Sequence, residues 1–315
     1  MTSSPNQTEE NDFEGQPAPA RNVLKVVFLS GGENRLRAGW RLLLQVVLLI
    51  LLLFGLQFAL DYYLLDSGRL SPNVSFFSSQ ALTLVAITLS VFFARVILDQ
   101  RSLASLGLTL GKKTWLELGL GMLIAGLVMG VVFLVEWSLG WLKVEGAAWS
   151  ARPLSAVAVD VLVYLAAFLG VGWGEELLFR GYWLQNLEEG LNLPWAVGLS
   201  SLLFAAAHWA NPRFSMLPLA GLLLSSLLLV FGYLVTRRLW LPIGLHIGWN
   251  MFQGVIFGFP VGGMSIPPLI EQTVTGPALW TGGEFGPDGG LIILPALALG
   301  GFLIWAYQVY CLDTD

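Results

Sequence analysis

The 315-residue chain reads as an all-α, multi-pass membrane protein with about eight transmembrane helices. Three observations lead there: 56% of the residues are hydrophobic and only 12% charged, the mean hydropathy is +0.71, and the apolar residues fall in long, uninterrupted runs. One soluble core could not hide that much apolar surface. Runs able to cross roughly 30 Å of hydrocarbon, without the ten-residue alternation of a transmembrane barrel, leave the helix as the structure that satisfies its own backbone in lipid.

Residues 1–38 open with "MTSSPNQTEENDFEGQPAPA" and then turn basic, which predicts a disordered cytoplasmic tail and a juxtamembrane segment rather than a cleaved signal peptide. An N-terminal block, 39–149, holds the runs Leu42–Leu60, Phe76–Leu98 and Trp115–Leu139, the first serving as an uncleaved anchor. A second block, 150–259, holds Ala156–Leu178, Leu193–Ala207, Leu217–Val235 and Leu241–Phe259, with "GLNLP" (Gly190 to Pro194) as a tight turn between the first two. Residues 260–290, rich in Gly and Pro with three acids and no base, read as a plain extracytoplasmic loop in preference to a lid. The last run, Leu291–Cys311, lies within 291–315.

Charge placement orients the chain. With the N-terminus inside, twelve of the 16 Lys and Arg residues fall in inner segments and four in outer ones, so both termini are predicted cytoplasmic. The net charge of −5 is not accompanied by any dense basic patch, which argues against a nucleic-acid partner. The single cysteine, Cys311, excludes an intrachain disulfide and a thiolate metal cluster.

Ionisable groups at membrane depth are costly and point to function. Glu175, Glu176 and Arg180 stand together in "VGWGEELLFRGYW", and the only two histidines, His208 and His246, lie in apolar runs. Other polar residues have structural readings: Arg95 snorkelling to the headgroups, Glu117 beside Lys112 and Lys113, Glu136 and Asp160 at outer boundaries, Gln45 and Gln57 bonding between helices.

Spacing gives the main set one address. Glu175 lies 15 residues before Gly190, and His208 lies 15 after Leu193, so an antiparallel hairpin sets both roughly 22 Å from its turn. His246 comes after the boundary pair Arg237 and Arg238 by about 12 Å of helix, and Asn250 shares its face at i+4. The four are expected at one depth, nearer the basic end. Glu176 and Arg180, acid first at i and i+4, suit an intrahelical pair, which leaves Glu175 as the better base, with exchange of the two glutamates left open.

"EELLFRG" (Glu175–Gly181), "LFAAAH" (Leu203–His208) and "LPIGLHIGWN" (Leu241–Asn250) resemble the three motifs of the CAAX protease and bacteriocin-processing family, the CPBP or Abi intramembrane endopeptidases. The motifs are Glu-Glu-x-x-x-Arg, Phe-x-x-x-His and His-x-x-x-Asn, carried here by Glu175, Glu176 and Arg180, by Phe204 and His208, and by His246 and Asn250. The resemblance implies an eight-helix core whose cavity opens toward cytoplasm and membrane. It also implies hydrolysis of a peptide or C-terminal protein segment, lipidated or not. Two versions of the chemistry stay open: a water activated by Glu175 and His208 with His246 and Asn250 at the oxyanion, or a divalent metal such as zinc held by the histidines and a glutamate. The metal-free version is preferred, because the His-Glu-x-x-His helix motif is absent. A non-catalytic peptide-binding or immunity protein and a proton-coupled transporter are the alternatives.

Overall fold

The computed structural model describes residues 27–30, 35–65 and 72–312; the predicted tail, through residue 26, lies outside them. The chain is an all-α membrane bundle. We number its principal elements α1 (Ala38–Leu60), α2 (Pro72–Phe93), α3 (Lys112–Ser138), β1 (Leu142–Ala147), α4 (Leu154–Glu176), α5 (Leu193–Ala207), α6 (Met216–Thr236), α7 (Trp240–Asn250), β2 (Ile270–Val274) and α8 (Ile293–Tyr307). Helix α4 runs on through a π-helical stretch, Leu177–Trp183, into Leu184–Gly190. Helix α7 is prolonged likewise by Met251–Ile256.

All eight expected apolar runs are helical, but six helices are long and apolar enough to cross a bilayer alone. Helix α5 has 15 residues and α7 has 11. The expected turn between α4 and α5 is present: Asn192 caps α5 by accepting from the Trp195 N–H, with Pro194 in the first turn, where a missing N–H costs nothing.

Helix α7 is the centre of the bundle, buried from Leu241 through Gly248 and again at Asn250, as expected of a helix that is apolar all round. It runs parallel to α3, with Leu118 beside Gly244 and Met122 beside Gly248. A Cβ on Gly244 would stand 2.3 Å from the Leu118 carbonyl oxygen. Small residues thus let two backbones touch, the packing mode that works where lipid removes the hydrophobic drive between helices. A Gly244→Val substitution must push α7 off α3, because the atom it meets is backbone and cannot rotate away. We expect a loss of at least about 1–3 kcal/mol, read as a lower unfolding midpoint in detergent micelles. Because His246 rides on α7, this helix contact also fixes the depth of an imidazole.

Three structural readings from the sequence are corrected. Residues 260–290 are not a plain loop: β2 pairs antiparallel with β1, from Leu142 opposite Val274 to Ala147 opposite Ile270, and short helical turns at Gly283–Phe285 and Pro287–Gly289 come after it. Arg95 does not snorkel; it is buried with Arg41 around Asp99, at 2.8 and 2.9 Å, because Asp99 supplies the counter-charge that headgroups otherwise would. Glu136 lies in the last turn of α3 as a boundary residue would, but its side chain is fully buried in the protein and not exposed to water.

The smaller readings divide. Glu117 finds Arg238 at 2.9 Å, and Asp160 finds Arg152 at 2.6 Å. Gln45 does bridge helices, donating to Ser90 and accepting from Trp183. Gln57 bonds Asp61 one turn on in its own segment.

Candidate active site

The three motifs converge. Glu175 and Glu176 end α4, His208 caps the C-terminus of α5, and His246 and Asn250 lie one turn apart on α7. The Oε2 of Glu175 stands 3.8 Å from His208 Nε2 and 3.9 Å from His246 Nε2. These gaps exceed a hydrogen bond, and Glu175 Oε2 is buried with no hydrogen-bond partner. The π-helical stretch begins one residue after Glu176, a kind of local widening that recurs at functional sites.

Glu176 has a different setting. It is fully buried; its Oε1 accepts from Arg180 at 2.9 Å and faces His246 Nδ1 at 2.8 Å. Arg180 also donates to the Ser226 hydroxyl at 2.7 Å and lies 4.4 Å over the Phe204 ring, a cation–π contact. The expected intrahelical pair is therefore present. Sequence spacing gave no sign of the second link, from Glu176 to His246.

The tautomers are set by the partners. His208 Nδ1 is 2.9 Å from the Phe204 carbonyl, which can only accept, so Nδ1 carries the proton. His246 Nδ1 faces the carboxylate of Glu176 and donates for the same reason. In their neutral forms both imidazoles turn an Nε2 lone pair toward Glu175 Oε2.

The residues enclose a cavity of about 640 Å³ reached by Glu175, His208, His246 and Asn250. Its more exposed lining, at Gln80, Pro212, Met264 and Ser265, belongs to the end of the bundle opposite Arg237 and Arg238. The cavity therefore opens away from the basic end of the bundle. Leu239 and Leu241, both buried, fill the basic end. A groove between α2 and α4 shares Phe77, Gln80, Ala167, Val171 and Glu175 with the cavity.

Residues 260–290 contribute a group that the motifs did not reveal. Asp288 lines the cavity and is buried; its Oδ1 accepts from Trp249 Nε1 at 3.0 Å and its Oδ2 from Gln253 Nε2 at 2.9 Å. Burial pushes its carboxyl above the ordinary range, against the hydrogen bonds from Gln253 and Trp249 and the nearby His208 and His246, which pull it down. Its one sequence signal was to be one of three acids in that stretch.

The donor set does not fit zinc as placed. Among the described residues no group of three or more His, Cys, Asp or Glu side chains has metal-holding geometry. Bonds of about 2.0–2.1 Å in a tetrahedron put ligand atoms roughly 3.4 Å apart, closer than the separations around Glu175.

Fold and site define an integral membrane protein with carboxylate and imidazole groups gathered in a cavity that continues into a groove between two of its helices. Residues 157–252 match the family model described as type II CAAX prenyl endopeptidase Rce1-like. The matched stretch, 96 of the 315 residues, is thus similar to a family of membrane peptidases. No curated protein matches the chain significantly.

Proposed function

We propose that the chain is an intramembrane endopeptidase that hydrolyses a peptide bond with water activated by Glu175. One observation carries the reading: a buried carboxylate oxygen without a hydrogen bond lies nearly equidistant from the Nε2 atoms of two imidazoles. A water oxygen within hydrogen-bond reach of all three would be held and polarised there.

In the proposed reaction Glu175 takes a proton from water as the oxygen attacks the substrate carbonyl carbon. The oxyanion that forms is met by the Asn250 side-chain amide and by Nε2–H of His246, which donates only as imidazolium, with Glu176 as its counter-ion. Glu175 then returns the proton to the departing nitrogen as the C–N bond breaks, leaving a carboxylic acid and an amine. His208, held through Phe204, keeps the water on the Glu175 side. On the positive-inside argument the termini face the cytoplasm.

Asn250 makes no side-chain hydrogen bond among the described residues and reaches the cavity, so its role is tested with little structural cost. Asn250→Ala should lower kcat by about 10²–10³ in a purified cleavage assay, with the unfolding midpoint nearly unchanged; a loss under about threefold argues against an oxyanion role. The substrate is approached through the peptidome. Membranes carrying the native chain should contain new peptide termini missing from membranes carrying Glu175→Gln. Identical termini in both would overturn the peptidase reading.

A further inference from the structure

We infer that the site takes its substrate as an extended strand, one substrate residue pairing through its main chain with the N–H and C=O of Ser265, so that the substrate is an unwound peptide segment and not a transmembrane helix. The inference rests on the peptidase reading and gives that site a binding mode.

A short hairpin builds the edge. Gly262 and Gly263 have φ of 54° and 81°, the left-handed pair that a two-residue turn needs, and Val261 and Met264 exchange both backbone hydrogen bonds at 3.0 Å. Ser265 is the next residue on the returning arm. In an antiparallel ladder the residue beside a bonded pair turns its N–H and C=O to the opposite side. Among the described residues neither of these Ser265 groups has a partner. Ser265 lines the cavity, as do Glu175 and Asn250. Ile266 is held extended because it precedes Pro267, and Pro267 and Pro268 bring no further N–H. The open edge is therefore confined to Ser265, enough to hold a peptide and too short to recruit a long foreign strand.

The hairpin is fixed to two of the elements that carry the site. Its tip lies against the segment that follows His208: a Cβ on Gly262 would stand 2.6 Å from Asn211 Nδ2, and one on Gly263 would overlap the Pro212 carbonyl. Its returning arm lies against the continuation of α7. There a Cβ on Gly254, one turn beyond Asn250, would stand 3.0 Å from Ile266 Cδ1. A strand paired with Ser265 thus occupies the same cavity as the proposed base and oxyanion donor. An open backbone donor and acceptor at such a place recognise another main chain, the strand-addition mode in which affinity comes from backbone hydrogen bonds. A helix cannot answer them, because its own N–H and C=O groups are already paired.

The test removes the Ser265 N–H and leaves the rest of the cavity. Glu175→Gln protein in phosphatidylcholine nanodiscs is titrated with a short Leu/Val peptide bearing an uncharged dye. Adding Ser265→Pro, which deletes the donor, should weaken binding by about 5- to 10-fold. Adding Ser265→Ala, which keeps it, should leave binding within about twofold of the parent. An α-hydroxy acid at position 265 replaces the same N–H with an ester oxygen, without the proline ring, and should match Ser265→Pro even where the ring disturbs the hairpin. On the unaltered hairpin, the same peptide held helical by a hydrocarbon staple should bind at least about tenfold more weakly than the flexible one. Binding indifferent to loss of the N–H, an alanine effect as large as the proline effect, a stapled peptide that binds as well as the flexible one, or binding of neither peptide overturns the inference. The expected pattern with no cleavage by the native chain would uphold strand addition and sink the peptidase reading. Peptide cleavage that Ser265→Pro and the ester both leave at the native rate would do the reverse.

Discussion

Purified Glu175→Gln protein is expected to lose peptide cleavage by about 10²–10⁴-fold, the usual contribution of a positioned general base, while keeping its fold. The reasoning is local. Glu175 makes no side-chain hydrogen bond among the described residues, and its Oε2 is buried beside two imidazole nitrogens at distances too long for bonding. A carboxylate in that position is held for chemistry more than for packing. Glutamine matches it in shape but cannot take a proton from water. Removing a buried charge also lowers the cost of desolvation, so the unfolding midpoint should stay level or rise. A folded variant that still cleaves within about tenfold of the native rate would remove Glu175 from the role of base and return the question to Glu176.

The Glu175 site was legible in sequence because it is built on helices, whose rise of 1.5 Å per residue turns counting into position. Equal spacings from the Gly190 turn set Glu175 level with His208, and the structure brings them within 3.8 Å. The i, i+4 pair of Glu176 and Arg180 was readable for the same reason. Counting fixes depth but not rotation. It therefore missed the contact of Glu176 with His246 Nδ1, which depends on how α4 faces α7. Span counting is not decisive at α5 and α7, which are short, because apolar residues are required of a helix buried in protein just as of one in lipid. Asp288 was beyond reach, since an irregular, Gly-rich segment has no period from which its path back to α7 could be computed. The same gap hid the direction in which the cavity opens.

Arg180→Met should destabilise the protein by about 3–5 kcal/mol, the cost of stranding one partner of a buried pair. Both side chains are fully buried, so no water can replace the lost guanidinium, and Arg180 also gives up Ser226 and the face of Phe204. Methionine fills much of the volume, which leaves the uncompensated Glu176 charge as the main loss. Glu176→Gln made on the Arg180→Met background should then recover a large part of that stability, a coupling of about 1–3 kcal/mol, measured by denaturant unfolding of all four proteins in one detergent. Activity should not return with it. A neutral residue 176 leaves the imidazolium of His246 without its counter-ion, and a hydrogen bond to a charged group is worth about 1.5–3 kcal/mol. In the Glu176→Gln single variant we accordingly expect kcat to fall by roughly 10- to 150-fold with KM little changed. If stability and activity recover together in the double variant, Glu176 serves the fold alone. If the two stability costs simply add, Arg180 is not stabilised through Glu176. The expected split, with the fold rescued and the rate not, arises because one carboxylate oxygen is held between a guanidinium that packs the helix and an imidazole that faces the substrate.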